Sequence, residues 1–169
     1  GAVLMVSERF GERIERNTTV ADAVSTARRL VDKLTGAGLE IQDLSVDPGI
    51  VPLAADEEGS LARSLKVVEE ISGILPEVTT VIGISNLTAY LPDALDKLSI
   101  QRAYVQMAEE AGLKMIIGDP CKNYAVSEED GDYVDALKKI LWAEYVPGAV
   151  VKHLFPLCRG EAVYGDNNR

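Results

Sequence analysis

Four short apolar runs, residues 2–6, 43–46, 79–84 and 114–117, recur along the chain with segments of helical periodicity between them. Short runs rich in Val, Ile, Leu and Met, without alternating polar residues, have the composition of strands buried on both faces. The intervening segments repeat their apolar residues every three or four positions. In 20–34, Val20, Val24, Ala27, Leu30, Val31 and Leu34 fall on one side, while Arg28, Arg29, Asp32 and Lys33 fall around the other. Segments 60–74 and 99–111 repeat the pattern. A strand followed by a helix-length crossover must return parallel to its neighbour, and such crossovers are right-handed. The order therefore predicts an α/β fold on parallel strands.

The punctuation agrees. Thr18 or Thr19 caps the first helix with Asp22 in its first turn, and Gly36 and Gly38 end it. Gly59-Ser60 opens the second helix, Pro76 follows it, and Gly112 closes the third. Beyond Pro120 the pattern is less regular. Ser127-Glu128-Glu129-Asp130-Gly131-Asp132 reads as an acidic cap or loop before a helix over 133–145 that turns Val134, Leu137, Ile140, Leu141 and Val146 inward. Pro147-Gly148 is read as its stop, 149–155 as a short strand or irregular packing, and 165–169 as a frayed end.

Length sets a limit. The chain has 169 residues, enough for one domain with a real core but short of the roughly 250 of a complete eight-fold α/β barrel. A net charge of −10 argues against nucleic acid or an anionic membrane surface, both of which need a positive footprint, and favours a small molecule or a protein partner. Cys121 and Cys158 stand alone, without the spacing of a zinc site or a disulfide framework, which suits a reducing cytoplasm. No apolar run approaches the roughly 20 residues of a membrane span, and no basic-then-apolar leader opens the sequence.

In parallel α/β folds, ligands meet the loops at the carboxyl ends of the strands. Those loops hold Ser7-Glu8-Arg9, Asp47-Pro48-Gly49-Ile50, Ser85-Asn86-Leu87-Thr88 and Asp119-Pro120, so polar residues recur at every strand exit while the strands nearly lack them. Each has a plainer explanation as well: Asp-Pro opens turns, Asn86 suits an Asx-turn, and His153, the sole histidine, lies in the irregular tail. Neither a Ser-centred elbow nor a phosphate-cradling glycine loop is present.

The string Val46-Asp47-Pro48-Gly49-Ile50-Val51-Pro52-Leu53, followed at helix-plus-strand distance by Val81-Ile82-Gly83-Ile84-Ser85-Asn86, resembles the pterin-binding TIM-barrel family. That family comprises dihydropteroate synthases, the methyltetrahydrofolate:corrinoid/iron–sulfur protein methyltransferases and the pterin domain of cobalamin-dependent methionine synthase. Pro52 and the Gly-Ile-Ser-Asn motif are closer to the methyltransferases. So are Gln101-Arg102-Ala103-Tyr104-Val105-Gln106-Met107-Ala108, Ala111-Gly112-Leu113 and the run Ile116-Ile117-Gly118-Asp119-Pro120. The resemblance covers residues 2–120 and places 2–6 at the fifth of eight strands. It implies that residues 1–169 form the C-terminal half of a TIM barrel, a single half-barrel domain of cytoplasmic one-carbon metabolism.

The resemblance also implies roles. Asp47 would hold the pterin ring, since a carboxylate accepts parallel hydrogen bonds from the ring's amino group and N–H. Asn86 would be the catalytic residue, facing N5, with Ser85 and Asp119 as further pterin contacts. The reaction implied moves a methyl group from N5 of methyl-tetrahydrofolate, or a related pterin, to the reduced cobalt of a corrinoid (cobalamin) carried on a partner protein. No metal belongs to the chain itself in this scheme. A first half-barrel, or pairing of two chains as a homodimer, would have to complete the pocket, so a methyl-pterin is expected to be held only when a first half-barrel is present. Lys97 or Arg102 could supply a charge missing from the loop after Asn86. A non-catalytic barrel subunit of a corrinoid complex is the first alternative. Dihydropteroate synthase chemistry is another, disfavoured because the synthases' lysine after Asp-Pro-Gly is not evident.

Overall fold

The computed structural model of the chain describes residues 1–10, 13–16, 19–125, 127 and 130–158, with residues 7–10, 13–16 and 158 described by backbone alone. The predicted strands are present as β1 (Ala2–Met5), β4 (Leu44–Asp47), β5 (Thr79–Gly83) and β6 (Met115–Ile117). They form one parallel sheet in the order β1-β4-β5-β6, which is also their order along the chain. The crossovers are the predicted helices α1 (Val20–Gly36), α2 (Ser60–Ile74) and α3 (Lys97–Glu110). Right-handed crossovers between strands laid down in chain order carry all three helices to one face of the sheet.

Local chemistry sets the helix ends. Thr19, not Thr18, caps α1: its Oγ1 accepts from Asp22 N at 3.1 Å, and its hydroxyl donates to the Asp22 carboxylate at 2.6 Å. Thr18 lies outside the described residues. Asp96 caps α3, its Oδ1 accepting from Leu98 N and Ser99 N at 3.1 Å each.

Two apolar cores lie between sheet and helices. The smaller joins Leu4, Leu44 and Val46 to Ala23, Ala27 and Val31 of α1 and to Val67 and Ile71 of α2. The larger joins Ile82 to α2 and α3 and continues into α4 (Gly131–Leu141) and α5 (Val146–Cys158), including Val134, Leu137, Ile140 and Leu154. Strand register leaves the other face differently populated. Val3 pairs with Ser45, Met5 with Asp47, Val81 with Met115 and Gly83 with Ile117, so these side chains share the face turned away from the helices. On that face Val3, Met5, Met115 and Ile117 of the edge strands are 52%, 56%, 41% and 53% exposed, whereas Val81 of the inner strand β5 is 0% exposed. The sheet is clothed on one side and largely bare along both edges of the other.

Three expectations are corrected. Residues 7–9 were expected as a strand-exit loop, but Ser7–Phe10 and Arg13–Arg16 form an antiparallel hairpin, β2 and β3, pairing Ser7 with Arg16 and Phe10 with Arg13. Residues 149–155 are neither strand nor irregular but lie in α5, and Pro147-Gly148 belongs to its first turn. Proline is tolerated there because the N–H it lacks has no helical acceptor in the first turn. The preceding helix stops earlier than expected, at Leu141. Residues 128, 129 and 165–169, read above as acidic cap and frayed end, lie outside the described residues. No helix among the described residues is long and apolar enough to cross a membrane.

Candidate functional site

Asp47 ends β4, half-buried on the bare face. Its Oδ1 accepts from Gly49 N at 2.8 Å, and its carbonyl accepts from Val6 N at 3.0 Å. The first of these bonds is an Asx-turn, in which the carboxylate shapes the Asp-Pro-Gly loop. Gly49 itself has φ +71°, a conformation that costs glycine little.

At the end of neighbouring β5, the chain winds through a short 3-10 turn, Ile84–Thr88, held down by buried Ile84, Leu87 and Thr88. Ser85 and Asn86 are the exposed residues of this turn. A Cβ placed on Gly83 would lie 3.9 Å from Asn86 Nδ2, the nearest neighbour it would meet. A side chain at Gly83 would project onto the bare face, so the Asn86 amide lies over that face at the end of β5. Asp47 and Asn86 thus meet one surface from adjacent strand ends.

Asp119, beyond β6, is exposed. Its Oδ1 accepts from Cys121 N at 2.9 Å, and its own N–H donates to the Tyr124 hydroxyl at 3.0 Å. This is turn chemistry of the kind its plainer explanation supposed, at the third strand end in the row. Neither suggested basic residue is uncommitted. Lys97 pairs with Asp93 at 2.7 Å, while Arg102 donates from Nε to Asn123 O at 2.9 Å and lies 3.7 Å from the Asp130 carboxylate. His153 packs half-buried in α5, where burial and then the charges of Lys152 and Lys139 hold its imidazole below its ordinary range.

Sequence reasoning missed the support behind Asn86. Gln101, 3% exposed on α3, donates from Nε2 to Thr88 Oγ1 at 2.7 Å, and its Oε1 has no partner. Its only sequence signal is a polar residue at a core-facing helical position. Tyr90, two residues past the turn, is missed as well. It is 86% exposed and has φ +65°, the only non-glycine positive φ among the described residues. No one-dimensional pattern announces a backbone outlier of that kind.

Two concavities lie among the described residues. One, of about 20 Å³ and so the size of a water, is lined by Pro48, Gly49, Ser60 and Arg63. The first N–H groups of α2 beside it already donate to Asp56, from Ser60 at 2.7 Å and from Leu61 at 3.0 Å. A larger groove of about 210 Å³ follows the outer edge of β6 past Lys114, Met115 and Tyr124. Asp47 and Asn86 line neither of these two. Comparison with protein-family models and with curated proteins gives no match for this chain.

Proposed function

We propose that the chain is the C-terminal half of a pterin-binding barrel of the methyltransferase type. One observation carries the reading: Asp47 and Asn86, the residues that the resemblance assigns to the pterin ring and to N5, meet the same bare sheet face at adjacent strand ends. The sheet supports it, because strands in chain order with all crossovers on one side are the winding of a barrel wall, and the bare apolar side is where a barrel's interior layers pack. On this reading the chain supplies four of eight strands, and the remaining wall comes from a first half-barrel or a second chain.

The chemistry follows from the side chains. Asp47 takes the pterin amino group and ring N–H, since a carboxylate accepts parallel hydrogen bonds. Asn86 acts at N5. Neutral nitrogen leaves carbon poorly, so as the methyl group passes to the reduced corrinoid, the N5 electron pair must be met by a proton and by a hydrogen bond. The amide N–H strengthens that bond as charge develops, which stabilises the transition state over the bound substrate. The methyl–N5 bond breaks, a cobalt–carbon bond forms, and tetrahydropterin departs with the proton.

A methyl-pterin is held only with the remaining wall in place, so the NMR titration is made with a first half-barrel present. Titration with methyltetrahydrofolate is expected to shift the amides of 47–49 and 85–86, and unmoved spectra would overturn the reading. With a first half-barrel and cob(I)alamin as acceptor, Asn86→Ala is expected to lower methyl transfer about 10²- to 10³-fold while pterin affinity stays close to that of the parent. Undiminished transfer would remove Asn86 from its role. The second reading is a non-catalytic wall of a corrinoid complex, and that chain would leave the same titration silent.

A further inference from the structure

Gln101 is a polar side chain at a core position of α3, in a helix whose Ile100, Ala103, Tyr104 and Ala108 are all buried. It donates from Nε2 to Thr88 Oγ1 at 2.7 Å, and its Oε1 is the only buried side-chain polar atom without a partner among the described residues. A buried amide with half its capacity unmet costs stability, and an apolar side chain of the same length would fill the position without that cost. Stability therefore does not account for Gln101. What the amide does make is a bond to the turn that carries Asn86. Thr88 is the last residue of that turn, Ile84–Thr88, and Ala89 N, just beyond it, donates to Asn86 O at 3.2 Å. Hydrogen bonds within a 3-10 turn are poorly aligned, so such a turn takes its orientation from what it packs on. Ile84 and Leu87 hold it down by apolar burial, which is non-directional. The Gln101–Thr88 bond is directional and ties the turn to the helix behind it.

We propose that Gln101 is a positioning residue: through Thr88 it sets the angle of the turn, and so the place of the Asn86 backbone at the end of β5. Buried behind the turn, it touches no ligand itself. The inference rests on the pterin reading for what Asn86 does there, and it adds a residue that the reading does not use.

The test is the double variant Gln101→Met with Thr88→Val, which removes both partners and nearly keeps their shapes. Replacing both ends of a buried bond by apolar groups of the same size is close to neutral for stability, so the thermal midpoint is expected to stay near that of the parent. Nitrogen-15 relaxation on the free chain reads the turn directly. Residues 85 and 86 are expected to share the order of β5 in the parent, with order parameters of about 0.85, and to fall below about 0.6 in the double variant. With a first half-barrel, methyltetrahydrofolate and cob(I)alamin, the double variant is expected to lower kcat about tenfold while KM stays within about twofold of the parent. Thr88→Ser keeps the hydroxyl and is expected to hold the parent's order and kcat. Unchanged order at 85 and 86 in the double variant overturns the positioning role whether or not the chain moves methyl groups, and so does loosened order with parental kcat. A kcat loss that comes only with a large drop in the thermal midpoint makes the bond structural and overturns it as well. If the parent transfers no methyl group while the double variant loosens the turn, the pterin reading falls and the anchoring of Asn86 by Gln101 stands.

Discussion

Asp56 is 1% exposed, and both its carboxylate oxygens are occupied at the start of α2, by Ser60 N and Leu61 N. Tyr104 lies near it, its hydroxyl donating to Leu61 O at 3.1 Å, and burial and then the Asp56 charge push the Tyr104 phenol up. Asp56→Ala removes a cap whose donors are left buried, so a loss of about 1–2 kcal/mol is expected in urea unfolding, with Asp56→Asn losing less. Asp130 makes a pH-dependent counterpart. Burial works against its charge, but Ser127 N–H, the Ser99 and Ser127 hydroxyls and the Arg102 guanidinium together hold it below its ordinary 3.8. A carboxylate whose folded pKa lies below its unfolded one stabilises fully above the unfolded value and loses that contribution as pH falls through the folded one. The urea midpoint should therefore fall on acidification below 3.8, and Asp130→Asn should flatten that dependence; equal slopes in both proteins would remove Asp130 from it. Residues of this kind were only half legible. Asp130 stands in an acidic run that announced a helix start, whereas Asp56 sits in Ala55-Asp56-Glu57-Glu58, where nothing in one dimension tells the buried carboxylate from its exposed neighbours.

Elements were legible where periodicity and punctuation agreed and lost where punctuation has two meanings. Helix α2 runs over the residues expected of it, but Pro147-Gly148, read as the end of one helix, is the first turn of the next, because proline both terminates helices and opens them. The hairpin of β2 and β3 escaped notice because polar, charged tetrapeptides resemble a loop in composition and become strands only by pairing. Gly112, by contrast, was placed correctly at the end of α3, and the structure adds the reason it must be glycine. Its φ is +101°, and an added Cβ would stand 2.6 Å from Ser72 Oγ. Its carbonyl accepts from Ser72 Oγ at 2.9 Å and from Thr80 Oγ1 at 3.0 Å, which ties the entry of β6 to α2 and β5. Gly112→Ala must rotate Ser72 away as well as adopt the left-handed backbone, so a loss of about 2–3 kcal/mol is expected by denaturant unfolding. Adding Ser72→Ala should recover part of it, since the clash goes while the backbone strain stays. A double variant no better than the single one would place the whole cost in the backbone.

At the scale of the molecule, the sequence carried the parallel winding because four apolar runs with helix-length crossovers admit few arrangements. It also brought Asp47 and Asn86 to neighbouring strand ends, since a residue just past a strand can only be where the strand stops. It did not carry the asymmetry of the two sheet faces. Continuous apolar strands read as buried on both sides, yet Val3, Met5, Met115 and Ile117 stand 41–56% exposed. That mismatch between composition and burial lies on the two edge strands, since Val81 between them is 0% exposed. It separates the bare side from the helix side by a simple experiment. A lysine in place of Ile117, 53% exposed on an edge strand, keeps its charge in water and gives up little packing, so the unfolding free energy in urea should change by no more than about 0.5 kcal/mol. A lysine in place of Ile82, 1% exposed on the helix side of β5, buries a charge without a partner and should abolish cooperative unfolding. Binding of an apolar dye such as anilinonaphthalene sulfonate should fall in Ile117→Lys because the exposed patch shrinks. A large stability loss in Ile117→Lys would instead mean that the face is already packed in the free chain, and the four strands would then need no further wall.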